Sequence, residues 1–151
     1  MALKDRIADE MKAALLGGNR FEGETLRNLR AAILNEEVAQ NKRDVGLSDQ
    51  EIEKVIVREV KKRNESAKLY RDNNRPELAE PEENEAAVLA KFLPEQMSEA
   101  DIRALVESKV TELGVNDPSA MGQVIGAVKQ TAGNTADGAL IAAIVKETLA
   151  K

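Results

Sequence analysis

The side chains able to do chemistry in this 151-residue chain are almost all charged, because it contains no His, no Cys and no Trp. Without His there is no Ser-His-Asp triad and no imidazole base or metal ligand. Without Cys there is no disulfide framework, no thiolate metal site and no thiol nucleophile. A metal would need an all-oxygen ligand set of the kind that suits Mg²⁺ or Ca²⁺. No metal site and no cofactor are expected from the spacings present. The three aromatic residues, Phe21, Tyr70 and Phe92, are too few for a platform that stacks successive bases. The 27 acidic residues outnumber the 22 basic ones, for a formal charge of −5. That balance argues against broad nucleic-acid binding and leaves room for a local basic patch.

The densest such patch is Arg58, Lys61, Lys62 and Arg63. On a helix, Lys54, Arg58, Lys61 and Lys68 share one side, at i, i+4, i+7 and i+14. A row of this kind can follow a phosphate backbone, since each contact releases condensed counterions. The plainer reading, which is favoured, is a solvated face laced with Glu51, Glu53, Glu59 and Glu65. Glu59 and Arg63 are i, i+4 partners, and Arg30 and Glu37 continue the apolar side of the preceding helix. Glu37 and Glu59 could therefore be a carboxylate pair for acid–base or metal work. More economically, they belong to an interhelical ion-pair network that fixes register. The acidic run Glu77, Glu80, Glu82, Glu83 and Glu85 could hold a cation, but suits the positive end of a helix better.

Gly122 and Gly126, four residues apart, cost helix propensity and call for compensation. Close helix approach is the favoured explanation. The alternative is a helix N-terminus, with Lys129 nearby, that faces a phosphate. The loop Gly133-Asn134-Thr135-Ala136-Asp137-Gly138 lacks the Lys-Ser/Thr of a phosphate-binding loop and follows no strand.

Seven helices must position these groups, and no strand is evident: the fold class is all-α. Leu3, Ile7, Met11, Ala14 and Leu15 form the stripe of a first helix, over about 3–16, that stops at Gly17-Gly18. A second spans about 21–41, with Leu26, Leu29, Ile33 and Leu34 facing inward. Ser48 to Glu51 is a capping box opening a third, which runs to about Asn73. Its apolar side is Ile52, Val55, Ile56, Val60, Ala67 and Tyr70. Pro81 places the start of a regular fourth helix near Glu82, with its end at Phe92. Pro94 disfavours helix at Leu93, so the chain divides into a four-helix bundle, 1–94, and a three-helix bundle, 95–151. Ser98 to Asp101 caps the fifth helix, which ends at Gly114. Asp117-Pro118 opens the sixth, over about 118–130. Residues 131–136 form a loop, and Asp137 caps or begins the seventh.

These segments resemble the GatB/YqeY family, specifically its small stand-alone YqeY-like proteins, over essentially the whole length. The resemblance rests on Leu3-Lys4-Asp5-Arg6-Ile7 with Met11-Lys12-Ala13-Ala14, on Thr25-Leu26-Arg27 with Ala31-Ala32-Ile33, and on Leu47-Ser48-Asp49 with Glu59-Val60-Lys61-Lys62-Arg63. Phe92 to Ser98, Met121 to Gly126 and Ala136-Asp137-Gly138 complete it. It implies two helical bundles, four helices then three. The related module is the tail of the B subunit of the tRNA-dependent amidotransferase, where it contacts tRNA while transamidation occurs in another domain. The chain departs from the pattern at Gln123, where Lys is expected, and at Gly133-Asn134-Thr135, where many relatives carry Lys-Gly-Arg. Both changes remove phosphate-facing charge. Pro81 also replaces a usual helix former.

The resulting expectation is a non-catalytic helical adaptor that binds tRNA or a complex of the tRNA-dependent amidotransferase or aminoacyl-tRNA machinery. Arg58, Lys61, Lys62 and Arg63 would meet phosphates. Gly122, Gly126 and Gly138 would admit a close backbone, with Gln123 and Lys129 beside them. Two alternatives stand next to it. The resemblance also suggests a carbon–nitrogen ligase with glutamine as amido-N-donor, although no nucleophile or ATP loop for it can be assembled from these residues. The other is a protein-interaction module that needs no RNA. The N-terminal segment is not read as a signal peptide, and no apolar run reaches the ~18 residues of a membrane span. Together with the absent cysteines, this makes cytoplasmic residence without membrane association the default expectation.

Overall fold

The computed structural model describes residues 1–150. Among them are seven α-helices and no strand, so the protein is all-α. The chain separates into two compact units between Leu93 and Pro94.

The first unit holds α1 (Leu3–Leu16), α2 (Arg20–Ala39), α3 (Asp49–Asp72) and α4 (Pro76–Ala90). Helix α1 buries Leu3, Ile7, Met11 and Ala14, one side of a 3.6-residue repeat. Gly17 ends it. Asn19 then caps α2, its side chain accepting the Glu22 backbone N–H at 3.1 Å. Gly23 lets α1 and α2 meet closely, since a Cβ there would lie 2.4 Å from a methyl of Leu15. Ser48 and Glu51 form the expected capping box on α3, and Lys42 pairs with Glu51 at 2.7 Å. The Asp49 side chain reaches back to accept the Leu3 N–H at 3.1 Å, tying the start of α1 to that of α3. Leu26, Leu29, Ile33, Ile52, Val55, Ile56, Leu89 and Phe92 join Leu3, Ile7 and Met11 of α1 in one apolar core. Truncating one of these to Ala would cost about 2–5 kcal/mol.

Three expectations change in this unit. Helix α4 begins at Pro76, not near Glu82, and carries Pro81 inside it. Packing of α4 against α3 and α2 overrides the local penalty: Ala79, Ala86 and Leu89 are buried. The acidic run of α4 serves its own N-terminus only through Glu77, in the first turn. Glu83 pairs with Arg71 and Glu85 with Arg63, so these carboxylates fasten α4 to α3. Leu34, expected inward, is 45% exposed. It stands one position past the buried Ile33, and 100° per residue carries it off the core stripe.

The second unit comprises α5 (Glu99–Leu113), α6 (Met121–Ala132) and α7 (Gly138–Leu149). Ser98 and Asp101 cap α5 reciprocally, and Gly114 ends it in the left-handed conformation, φ 66°. The expected sixth helix is split: Pro118–Ala120 is a 3₁₀ turn, with Asp117 accepting the Ser119 N–H, and the regular helix follows. Helix α6 extends through Ala132 into a further 3₁₀ turn, Gly133–Thr135, where a loop was expected. The core is Ile102, Val106, Val124, Val128, Ile141, Ile144, Val145 and Leu149. Val and Ile dominate and no ring enters, so the three helices can pack closely.

Candidate nucleic-acid interface

The basic residues of α3 are positioned by its core side. Burial of Ile52, Val55, Ile56 and Glu59 turns Lys54, Arg58, Lys61 and Lys62 outward. Arg58 and Lys62 lie along a groove of about 510 Å³ between α2 and α3. Asn28 and Asn35 of α2 form the opposite wall, and Ala31, Ala32 and Ala39 keep the floor low. The two asparagines are a polar wall that the charge pattern alone did not reveal. Their signal is the spacing i, i+7 on the side of α2 away from Leu26 and Leu29.

The groove also contains acids. Glu36 accepts a bond from Arg58 at 3.2 Å, and Glu59 pairs with Lys62 at 3.3 Å and Arg63 at 3.2 Å. Hydrogen bonds from Gln40 and then Arg58 hold the Glu36 carboxyl below the usual Glu range. Arg58 and Lys62 nevertheless keep donors in hand, since guanidinium has five N–H groups and ammonium three. Lys54 and Lys61 are exposed and have no ion-pair partner among the described residues.

Arg63 differs from its neighbours. Its side chain is 12% exposed and held between Glu59 and Glu85, the latter at 3.1 Å. Its Nη1 also donates to the Glu59 carbonyl at 3.1 Å. It joins α3 to α4 and is not presented to a phosphate. Glu37 and Glu59 do not share a site. Glu37 bonds Lys4 at 2.9 Å and the Leu47 N–H at 3.2 Å, whereas Glu59 serves Lys62 and Arg63. The ion-pair reading therefore describes these carboxylates.

In the second unit Gly122, Gln123, Gly126 and Lys129 are all exposed on α6. A Cβ added at Gly122 or Gly126 would meet nothing within 4 Å. Close helix approach therefore does not explain these glycines. Lys129 lies over the start of α7, where a Cβ on Gly138 would come 3.4 Å from its Cε and Nζ. Asp137, whose side chain accepts the Ala139 N–H at 3.4 Å, caps that helix end and supplies the anion there itself. The basic row and the glycine face thus fall in different units.

Among the described residues no cluster of three or more His, Cys, Asp or Glu is placed to hold a metal ion. None of the described helices is long and apolar enough to cross a membrane.

Comparison with known proteins finds relatives of the chain. The chain is 28% identical over 119 residues to "Altered inheritance of mitochondria protein 41, mitochondrial" of Clavispora lusitaniae. That match covers 77% of this chain and 67% of the relative. The protein of the same name from Lachancea thermotolerans is 28% identical over 115 residues, or 75% of this chain and 60% of its own length. Both names say mitochondrial, which overturns the expectation of cytoplasmic residence. That expectation rested on features missing from a helical core, and a core of this kind carries no cellular address. Residues 4–149 match the Yqey-like protein family, and the chain belongs to it.

Proposed function

We propose that the chain is a non-catalytic helical adaptor that engages RNA, with tRNA or a tRNA-dependent amidotransferase-type complex as its target. The observation that carries this reading is the outward set Lys54, Arg58, Lys61 and Lys62 beside the asparagine-walled groove. A phosphate backbone running along α3 would take up the free ammonium groups and the remaining donors of Arg58 and Lys62. Asn28 and Asn35 would bond to phosphate or ribose oxygens. Glu36 and Glu59 weaken the pull of the groove, so binding is modest and strongly dependent on salt. Gly122, Gly126 and Gly138, with Gln123 and Lys129, form a second contact in this proposal, where an RNA backbone could lie near α6.

Fluorescence anisotropy with unfractionated tRNA at several salt concentrations tests this. Three or four phosphate contacts give a log–log slope of about −3. Lys61→Glu with Lys62→Glu should weaken binding by about tenfold or more and leave the melting temperature within a few degrees. Arg63→Gln should instead destabilise the fold, because it leaves Glu59 and Glu85 without their shared partner. No binding at low salt, or unchanged affinity in the double reversal, removes the α3 site.

A further inference from the structure

A different face of α2 is unfinished. Leu34 and Val38, one helical turn apart, are 45% and 54% exposed. Toward the helix start the same side presents Arg27, Arg30 and Ala31. Between this face and Lys4 of α1 lies a concavity of about 280 Å³. Glu37 closes its base and is bonded to Lys4 at 2.9 Å. Arg30 has no carboxylate partner among the described residues; its one polar contact is the Met11 sulfur at 3.8 Å. Arg27 has only a long pair with Glu24, at 3.4 Å. The surface thus combines two exposed aliphatic side chains, a recess, and a rim of three cations with donors to spare.

We propose that this face of α2 receives an acidic amphipathic helix of another protein. Leu34 and Val38 call for apolar partners, and the recess accepts one projecting side chain. The rim of Lys4, Arg27 and Arg30 pairs with carboxylates one or two turns away on the incoming helix. Other occupants fit less well. A nucleic-acid backbone would leave Leu34 and Val38 against phosphates, and no aromatic side chain lines the recess to stack a base. An anionic bilayer requires protruding apolar groups, whereas Leu34 and Val38 are only about half exposed and Leu34 borders a recess. The acidic helix of a second copy is largely engaged, with Glu77, Glu83 and Glu85 of α4 paired to Arg75, Arg71 and Arg63.

The test uses the full chain and a labelled synthetic helix with leucines at i, i+3, i+4 and i+7 and glutamates elsewhere. A second peptide carries Gln at every Glu. Saturable anisotropy binding of the acidic peptide is expected. Leu34→Asp, and separately Arg27→Glu with Arg30→Glu, should each weaken it by about tenfold or more. The Gln peptide should bind correspondingly less. Both variants lie on the surface, so unchanged circular dichroism is expected, as is unchanged affinity for tRNA. That last readout separates this proposal from the one for α3. Absence of saturable binding overturns it, as does equal affinity for the Leu34→Asp variant. It is also overturned if the same variants act instead on binding to phosphatidylglycerol vesicles or tRNA, or on self-association in sedimentation.

Discussion

At 2% exposure the Glu37 side chain is among the most deeply buried polar groups in the core, and both of its bonds are charge-assisted. The hydrogen bond from Lys4, with that from the Leu47 N–H, outweighs burial and holds its carboxyl below its ordinary value of 4.5. A carboxylate with a depressed folded value adds stability that is fully present above the unfolded value. That stability is lost as pH falls through the folded one. Glu37→Gln should therefore destabilise the first unit by about 1–3 kcal/mol at neutral pH. The gap between variant and parent should close as pH falls below 4.5. Thermal melts across that range check it; a gap that does not vary with pH would mean that packing, not charge, holds the site. The sequence placed Glu37 on the inner side of its helix. It could not supply Lys4 as partner, because the two meet only across the α1–α2 pair.

Glycine shows the same division at the level of the element. The spacing of Gly122 and Gly126 suggested a helix contact, yet both face open space, and the close approach occurs at Gly23 against Leu15. An exposed helical glycine costs roughly 0.5–1 kcal/mol relative to Ala. Gly122→Ala with Gly126→Ala should thus raise the stability of the second unit by about 1–2 kcal/mol, read from denaturant midpoints. If an RNA backbone lies on that face, the same double variant should bind tRNA less well although it is more stable. Stability and affinity that rise together would exclude α6 from the interface. The capping boxes of α3 and α5 were legible because they are contiguous in sequence. The start of α4 was not: Pro81 reads locally as a breaker, and only burial of Ala79 and Ala86 against its neighbours holds the helix across it.

For the molecule as a whole, each unit has its own aliphatic core, one around Leu26, Ile52 and Leu89 and the other around Val106, Val128 and Ile144. Separately produced fragments 1–93 and 94–151 are therefore expected to unfold cooperatively in calorimetry. The smaller one should be the less stable, since a shorter chain buries a smaller fraction of its surface. A fragment without a transition would mean that its core needs the other unit.

The sequence by itself determined the helical class, the places where most helices start and stop, and the stripes that become the cores. These follow from 3.6-residue periodicity, capping oxygens and glycine stops, all of which act within a few residues. Tertiary structure alone decided which charges are available. Arg58, Lys61, Lys62 and Arg63 form one cluster in the chain, but Glu36, Glu59 and Glu85 converge on them from three helices, withdrawing Arg63 and leaving Lys61 without an ion-pair partner among the described residues. It likewise turned Leu34 out beside Arg30 and the recess at Lys4. An ion pair or an exposed face depends on which helix lies opposite, and that partner can be tens of residues away along the chain.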